Sequence, residues 1–328
     1  MQHRSLSLGL ETEALSSEQW RQVSVLAKQL RLSLKHFATA AERDAADLSD
    51  AEIIIGSFPP KALLKAHKLK WLQQISSGID WLLDQPELRN RAFVLTNGSD
   101  ANCVPLAEHA MMGWLAWARH FPQAMEAQHK REWSPPPRKE EVFEIANSTL
   151  LIAGMGSIGK HLASIAKGFG ARTLALRNRP GGKHKPDAID EVYPSSNLLQ
   201  ILPEADAIVN TLPYTPDTHH LFDRKAFESM KPSAIFINVG RGKTVNETDL
   251  AEALNSKQIY AACLDVFQQE PLPPESLLRS CRNLLITSHY AWYTPHFKTR
   301  IAELIVDNLS RYANGRELRN VVDKHKCY

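Results

Sequence analysis

Cysteine is scarce in this chain. The 328 residues contain four cysteines, and no two of them form a Cys-x-x-Cys pair. This scarcity excludes a small scaffold that is held together by disulfides, because such scaffolds are dense in cysteine. Since structural disulfides are typical of oxidising compartments, we expect four reduced thiols in a cytoplasmic protein.

Long apolar segments and an excess of one charge are also missing. The apolar run MMGWLAWA at 111–118 is far shorter than the ~20 residues that a bilayer-spanning helix needs. The first residues, MQHRSLSLGLETE, lack the apolar core of a signal peptide. Lys and Arg total 39 against 36 Asp and Glu, a formal net charge of +3 without a basic block. We therefore expect neither a membrane nor a nucleic-acid partner, whereas a small anionic ligand suits this balance.

What the chain does have is an alternation of strand-like and helix-like segments. Its length suggests about two domains, at roughly 100–200 residues each. Apolar periodicity in the first part of the chain predicts helices over 16–30 and 59–68. Strands are predicted over 30–37, 51–57, 71–77 and 92–97. This alternation indicates a parallel sheet with helices on both faces, an α/β fold.

The later part of the chain repeats the alternation more clearly. One long helix is predicted from Asn102 to about Gln128, and an amphipathic helix over 297–315. Between them, helices are predicted over 157–169 and 247–258. Six strands are predicted, over 148–154, 172–177, 205–212, 233–240, 260–267 and 283–289. Because their apolar residues are nearly continuous, these strands are typical of a doubly wound parallel sheet.

A glycine-rich turn joins the first of these six strands to a helix. Residues 154–159 read Gly-Met-Gly-Ser-Ile-Gly, the G-x-G-x-x-G pattern, between a strand pattern and a helix pattern. Gly154, Gly156 and Gly159 permit a tight turn and a close approach of the backbone to a pyrophosphate. The helix N-terminus adds N–H groups and partial positive charge. The turn therefore predicts a dinucleotide-binding domain.

Seven segments, in order, resemble the D-isomer-specific 2-hydroxyacid dehydrogenase family over nearly the whole chain. They are SSGID (76–80), PLAEHAMMGWLAWAR (105–119), AGMGSIGKHLA (153–163), NTLPYTPDTHHL (210–221), MKPSAIFINVGRG (230–242), AACLDVFQQEPLP (261–273) and LLITSHYAW (284–292). Within the family the chain is most similar to the glyoxylate/hydroxypyruvate reductase branch. The resemblance implies hydride transfer between NAD(P)H and a small 2-keto acid.

The resemblance also implies an arrangement of domains. A Rossmann dinucleotide-binding domain, residues 101–288, is expected to be inserted into a flavodoxin-like substrate domain. That substrate domain comprises residues 1–100 and 289–328. Because members of the family are usually homodimers, a homodimer is implied as well.

Three side chains match the catalytic residues of the family. Arg241 follows a strand, at the end where open α/β sheets bind ligands, and its planar guanidinium suits a carboxylate. His289 closes LLITSH and matches the general acid, whose imidazole titrates near neutrality. Glu270 matches the carboxylate beside that histidine, where an anion favours the protonated ring. Ser288 departs from the family, which usually has proline there.

Further residues match positions that contact substrate or coenzyme. By resemblance, the backbone at Ser77, Gly78 and Ile79 binds the substrate carboxylate, although SSG is also common in ordinary turns. Asp265 is implied to hold the nicotinamide carboxamide. Thr218 either contacts the coenzyme or caps the start of a helix. The other implied coenzyme contacts are Ser157, Ile158, Leu212, Pro213, Val239 and Gly240.

The residues after the second predicted strand of this domain predict which coenzyme is preferred. NAD-binding folds place an acidic residue about 20 positions after the glycines, where it binds the ribose 2′-hydroxyl. Here Arg177, Asn178 and Arg179 occupy that region, and the next carboxylate is Asp187. Two arginines attract a 2′-phosphate, so NADPH is expected to be preferred over NADH, although a merely solvated basic loop is the alternative.

Other interpretations remain open on the sequence. A dinucleotide-sensing corepressor without turnover is the main alternative, because such relatives keep the same Arg, Glu and His. A formate dehydrogenase is disfavoured, since that branch has glutamine in place of Glu270. No metal site is predicted, because the adjacent His219 and His220 point in different directions on a helix. Aromatic residues that either line the pocket or serve packing and dimer contacts are Trp133, Trp292 and Tyr293.

Overall fold

The structure is a computed structural model that describes residues 4–135, 142–178 and 186–328. The chain divides into two compact units. The first comprises Met1–Asn102 and Thr294–Tyr328, and the second comprises Cys103–Tyr293. The second unit extends beyond the expected boundary at residue 288 because Ala291 packs in its core and donates its N–H to Asp265.

The first unit contains a sheet of five parallel strands. These are β1 (Ser5–Gly9), β2 (Ser33–His36), β3 (Ala51–Gly56), β4 (Trp71–Gln73) and β5 (Val94–Thr96). The order β2-β1-β3-β4-β5 is that of a flavodoxin-like sheet, which confirms the predicted fold of this unit. The connecting helices are α1 (Ser17–Gln29), α2 (Ala40–Asp44), α3 (Pro60–Leu63) and α4 (Pro86–Asn90).

Strand β1 is missing from the sequence prediction, although it lies in the interior of the sheet. Its alternation of serine and leucine is typical of a strand with one solvated face. In the structure Ser5 and Ser7 are fully buried, because β1 has a neighbour on each side and packed layers on both faces. The Ser5 hydroxyl donates to Asp50 Oδ1 at 3.0 Å, which satisfies this buried polar group.

The second unit contains a sheet of seven parallel strands. These are β6 (Thr149–Ala153), β7 (Arg172–Arg177), β8 (Glu191–Pro194), β9 (Ala207–Asn210), β10 (Ile235–Asn238), β11 (Ala261–Leu264) and β12 (Leu284–Ile286). The order β12-β11-β10-β9-β6-β7-β8 is the Rossmann order, with one strand more than the six predicted. The missed strand, β8, is a short and partly exposed edge strand that ends in proline, so it has no continuous apolar run.

The described residues of the second unit contain six helices, and one helix that the sequence predicts in this unit is wrong. They are α5 (Cys103–Ala118), α6 (Phe121–Lys130), α7 (Ser157–Gly168), α8 (Leu198–Ile201), α9 (Arg224–Glu228) and α10 (Glu247–Asn255). The single helix predicted from Asn102 to Gln128 is wrong, because the chain breaks at His120, whose φ is +53°. Pro122 has no N–H to donate to the Ala118 carbonyl, and this carbonyl accepts the N–H of Phe143 at 3.1 Å instead.

Helix α5 lies close against the sheet of the second unit. A Cβ atom at Gly113 would be 2.9 Å from Cys263 Cβ, so only glycine allows this approach to β11. The Trp114 and Trp117 side chains fill the same core cluster. Helix α11 (Phe297–Ala313) instead belongs to the first unit, where Ile301, Leu304, Ile305 and Leu309 are buried. No helix in the described part of the chain is long and apolar enough to cross a membrane.

Candidate active site

The glycine turn between β6 and α7 has the geometry that its sequence predicts. Gly154 has φ +106°, a conformation that L side chains rarely adopt. A Cβ at Gly159 would lie 2.3 Å from the Gly154 carbonyl oxygen, so glycine is needed for α7 to pack against the turn. At Gly156 a Cβ would meet nothing within 4 Å, which leaves open space above the backbone. The three glycines thus have distinct roles.

The start of α7 suits an anionic group. Gly156 is the N-cap residue, and no side chain caps this end of the helix. Ser157 and Ile158 are the first residues of the helix, so their N–H groups point toward its positive end. Together with the open space at Gly156, this arrangement fits the pyrophosphate of a dinucleotide.

A buried polar network at the ends of β9 and β10 escaped the sequence reasoning. Asn210 and Asn238 are paired in register, and both are almost fully buried. Asn210 Nδ2 donates to Asn238 Oδ1 at 2.9 Å and to Thr244 Oγ1 at 2.6 Å. The two asparagine oxygens accept the N–H groups of Leu212 and Gly240, at 3.1 and 3.0 Å. The network therefore fixes the backbone of both loops where coenzyme contacts were predicted.

Arg241 lies directly after this network. Its carbonyl oxygen accepts hydrogen bonds from Asn238 Nδ2 at 3.1 Å and from Thr244 Oγ1 at 2.6 Å. Its Nη1 donates to the Gly240 carbonyl at 2.7 Å. The following residue, Gly242, is wedged against another loop, since a Cβ there would be 1.9 Å from the Phe267 carbonyl carbon. The backbone that carries the guanidinium is thus held on both sides.

His289 and Glu270 form a hydrogen-bonded pair. His289 Nδ1 lies 2.6 Å from Glu270 Oε2, and the side chains are 45% and 36% exposed, so solvent and solutes reach both. Glu270 Oε1 accepts the N–H of Phe267 at 2.9 Å, which orients the carboxylate. His289 has φ +55°, and its N–H donates to the Asp265 carbonyl at 2.9 Å. Because β10, β11 and β12 are parallel, the segments with Arg241, Asp265 and His289 follow the same edge of the sheet.

Asp265 holds the segment around His289 with its carboxylate as well. The side chain is 1% exposed, and its Oδ1 accepts the Thr287 hydroxyl at 2.7 Å and the Tyr290 N–H at 3.1 Å. Oδ2 accepts the Ala291 N–H at 3.1 Å. An ionised carboxylate has about four acceptor positions, so these contacts leave little capacity for further donors.

Glu247, the first residue of α10, is a second carboxyl group near the pair. Its Oε1 accepts the N–H of Gln268 at 2.6 Å. Burial, together with the charge of Glu270, raises the pKa of Glu247 above its ordinary value. Sequence reasoning missed this residue, and the only available signal was its position shortly after Arg241.

Other predicted coenzyme residues lie on nearby loops of the second unit. The Thr218 hydroxyl donates to the Pro213 carbonyl at 2.8 Å and accepts the Thr215 N–H at 2.8 Å. The suggestion that Thr218 caps a helix is wrong, because Thr215 is the N-cap residue of the short turn. Gly240 permits a tight approach of the two loops, since a Cβ there would be 2.7 Å from the Leu212 carbonyl oxygen. Val239 is buried.

The predicted 2′-phosphate site is described in part. Arg177 ends β7 and is partly exposed, and Asn178 follows it in an exposed position. Arg179 lies outside the described residues.

The adjacent histidines differ from the expectation. His219 and His220 do not lie on a helix, and their rings stack with centroids 3.9 Å apart. Among the residues that the structure describes, no group of three or more His, Cys, Asp or Glu is arranged to hold a metal ion.

The predicted substrate loop lies in the first unit, after β4. Asn97 Nδ2 donates to the Ser77 carbonyl at 2.9 Å, and Ser77 Oγ donates to Asn102 Oδ1 at 3.1 Å. Gln74 Nε2 donates to the Gly78 carbonyl. The Ile79 side chain is 2% exposed and packs in the core, so only its backbone is suited to ligand contact. The loop is therefore shaped by side chains from within its own unit.

Comparison with known proteins gives the family. A model described as "D-isomer specific 2-hydroxyacid dehydrogenase, NAD binding domain" matches residues 111–291. Glyoxylate/hydroxypyruvate reductase B of Enterobacter sp. (strain 638) is 36% identical over 292 residues, which are 88% of this chain and 89% of that protein. D-3-phosphoglycerate dehydrogenase of Synechocystis sp. is 32% identical over 264 residues, 80% of this chain but 46% of that protein, so this match spans about half of the relative.

A solved structure extends the likeness to both units. The crystal structure of NADPH-dependent glyoxylate/hydroxypyruvate reductase from Sinorhizobium meliloti, in complex with NADP and sulfate, has a TM-score of 0.80 and 26% identity. The alignment covers 99% of this chain and 100% of that one. A Rossmann sheet with a dinucleotide turn and a hydrogen-bonded histidine–glutamate pair at the same edge is typical of an NAD(P)-dependent dehydrogenase. More narrowly, the chain belongs to the D-isomer specific 2-hydroxyacid dehydrogenase family.

Proposed function

We propose that this chain is a reductase that uses NADPH to convert small 2-keto acids of the glyoxylate and hydroxypyruvate kind into 2-hydroxy acids. The observation that carries the proposal is the 2.6 Å pair of His289 and Glu270 on the sheet edge where Arg241 also lies. The names of the relatives in Enterobacter and Sinorhizobium support this substrate class.

His289 acts as the general acid of the reduction. With Nδ1–H donated to Glu270, the proton that the imidazolium can transfer is the one on Nε2. Glu270 accepts this Nδ1–H and thereby fixes the orientation of the ring. A nicotinamide coenzyme bound to the glycine turn supplies the hydride. In the opposite direction, neutral His289 accepts the proton of the 2-hydroxy acid.

Arg241 holds the substrate carboxylate and polarises its carbonyl group. A guanidinium offers parallel donors whose spacing matches a carboxylate, and it remains charged at all working pH values. The backbone N–H groups of Ser77 and Gly78 are assigned a further contact to the substrate carboxylate. The loop that carries them is braced by Gln74, Asn97 and Asn102, which supports a fixed geometry.

The coenzyme binds to the second unit. The backbone of Ser157 and Ile158 holds the pyrophosphate, and the loops around Leu212, Pro213, Val239 and Gly240 border the coenzyme. Asp265 contacts the carboxamide through the acceptor capacity that its internal hydrogen bonds leave. Thr218 contributes by holding the Pro213 carbonyl. The protein is expected to act as a homodimer in the cytoplasm.

Preference for NADPH rests on Arg177 and Arg179. A charge-assisted hydrogen bond contributes about 1.5–3 kcal/mol, which corresponds to roughly a ten- to hundredfold preference. The test is kcat/KM with NADPH and with NADH, for the wild type and for a variant that combines Arg177→Asp with Arg179→Ala. We expect the wild type to favour NADPH and the variant to lose this preference. Equal use of both coenzymes by the wild type contradicts the preference without affecting the dehydrogenase assignment.

The substrate class is tested with a panel of 2-keto acids. The panel contains glyoxylate, hydroxypyruvate, pyruvate and phenylpyruvate, each with NADPH. Highest kcat/KM for glyoxylate or hydroxypyruvate supports the proposal, whereas highest kcat/KM for phenylpyruvate contradicts it. Tight binding of NADPH with no turnover of any 2-keto acid identifies a dinucleotide-sensing protein instead.

A further inference from the structure

A chain of hydrogen bonds leads from α5 to the segment that carries His289. His109 Nε2 lies 3.0 Å from Thr287 Oγ1, and Thr287 Oγ1 lies 2.7 Å from Asp265 Oδ1. The His109 ring also meets the Tyr290 ring edge to face, with centroids 5.7 Å apart. All of these residues belong to the second unit. The sequence offered no reason to connect a histidine of α5 with residues so far along the chain.

Which atom donates in each of these two hydrogen bonds follows from the fact that the Thr287 hydroxyl carries a single hydrogen. An ionised carboxylate only accepts, so the single hydrogen of the Thr287 hydroxyl points to Asp265 Oδ1. The hydroxyl oxygen must then accept from His109, which requires a hydrogen on His109 Nε2. His109 is therefore the neutral tautomer with hydrogen on Nε2, because burial lowers the pKa of the ring despite the opposing charge of Asp265.

The chain ends at the group that holds His289 in place. Asp265 accepts the N–H of His289 through its backbone and the N–H groups of Tyr290 and Ala291 through its carboxylate. These bonds keep His289 at φ +55°, a region that non-glycine residues seldom occupy. Such a conformation persists where its surroundings determine it. The orientation of Asp265 is in turn fixed by the Thr287 hydroxyl.

We propose that His109 is a positioning residue for the general acid: it fixes the Thr287 hydroxyl, which orients Asp265, which holds His289 in its unusual conformation. His109 does not touch substrate. Its contribution is the donated Nε2–H, and the ring's bulk is secondary. This inference rests on the proposed reductase function for its kinetic test, and a second test without turnover is available.

The kinetic test is a double-mutant cycle with conservative controls. Thr287→Val removes the hydroxyl at nearly constant shape, and His109→Leu removes the donor. We expect either change to lower kcat by about 10–100-fold. The affinity for NADPH, measured by fluorescence titration, should fall by a smaller factor than kcat, because Asp265 is only one of the proposed coenzyme contacts. Since both residues act through the same series of hydrogen bonds, the kcat of the double variant should be no lower than that of the single variants. Thr287→Ser and His109→Gln keep the hydroxyl and a donor, and should restore most of kcat.

Two results would overturn the inference. One is a kcat within about twofold of wild type for Thr287→Val, because the chain would then be dispensable. The other is a multiplicative loss in the double variant, which indicates two independent packing effects. Equal melting temperatures of Thr287→Val and wild type exclude general unfolding as the cause of a loss.

A spectroscopic test applies even if no 2-keto acid is turned over. Protein with ¹⁵N-labelled histidine gives ring signals, which His109→Gln and His289→Asn variants assign. We expect the wild-type His109 signal to be that of the tautomer with hydrogen on Nε2. Thr287→Val should shift the ring signals of both His109 and His289. If the His289 signals stay unchanged in Thr287→Val, the positioning role is contradicted whatever the fate of the proposed activity.

Discussion

At the residue scale, the side chain of Arg241 can be changed without disturbing the loop that carries it. Its backbone is fixed by Asn238 and Thr244, so a change of its side chain leaves the loop in place. Lysine keeps the charge but loses the planar pair of donors. We expect Arg241→Lys to lower kcat/KM roughly 10–100-fold, equivalent to about 1.5–3 kcal/mol, with an unchanged melting temperature.

The matched control for this prediction is Arg224→Lys. Arg224 pairs with Glu252 on the surface of the same unit, so the control repeats the chemical change away from the site. Steady-state kinetics should show wild-type kcat/KM for the control. If the Arg241→Lys variant is as active as the control, the assignment of Arg241 to the substrate site is contradicted.

The raised pKa of Glu247 predicts how the stability of the protein depends on pH. Burial raises the pKa of its carboxyl group above the ordinary 4.5, so the folded state keeps this proton after the unfolded state has lost it. Below about pH 4.5 the group is protonated in both states and has no effect. As the pH rises toward the folded-state pKa, the unfolded state binds fewer protons, and the free energy of unfolding falls.

Glu247→Gln is therefore expected to stabilise the protein at neutral pH. Glutamine keeps an acceptor for the Gln268 N–H but cannot ionise. Thermal melts should show a higher melting temperature for the variant at about pH 8 than for the wild type, and a smaller difference at about pH 4. A difference that is the same at both pH values argues against a buried, titrating carboxyl group.

At the scale of elements, the turn from β6 to α7 contains a position, Gly156, where a substitution should change coenzyme affinity without changing the stability of the fold. Alanine at Gly156 has room in the protein itself but occupies the space assigned to the pyrophosphate. We expect Gly156→Ala to keep the wild-type melting temperature and to weaken NADPH binding about tenfold or more. Gly168, at the other end of α7, also has open space, so Gly168→Ala is the control and should bind NADPH normally. Equal affinities for the two variants, measured by fluorescence titration, contradict the assignment of this turn.

Which elements could be predicted depended on whether their patterns are local. Ten of the twelve strands in the described residues and the helices α1, α7, α10 and α11 were predicted, because continuous apolar runs and helical periodicity are visible along the chain. Strand β1 was missed because its serines are buried by neighbouring strands, and β8 because it has no continuous apolar run. The break before α6 was missed because only Pro122 marks it in the sequence.

The candidate site, like the fold, could be predicted only in part. Arg241, Glu270 and His289 stand in recognisable segments at strand ends. Asn210, Asn238 and Glu247 do not, since their roles depend on the register of β9 with β10 and on contacts between distant segments. His109 belongs with them, because its partner Thr287 is brought to it only by the packing of α5 on the sheet.

At the scale of the whole molecule, the chain forms two α/β units, each with a parallel sheet, and the order of the strands differs between the two sheets. The first unit is completed by its C-terminal segment, because α11 supplies buried side chains to its core. The second unit is continuous and carries both the dinucleotide turn and the His289–Glu270 pair. The proposed function therefore assigns coenzyme binding and acid–base chemistry to one unit, and both can be measured on the intact protein.

The most direct test of the central claim compares the wild type with His289→Asn in the reduction of hydroxypyruvate and glyoxylate by NADPH. Asparagine fills a similar volume and cannot act as a general acid near neutral pH. The account predicts turnover by the wild type and a kcat lower by about 10²–10⁴-fold in the variant, with the affinity for NADPH retained. Full activity of His289→Asn, or no turnover of either acid by the wild type, would contradict it.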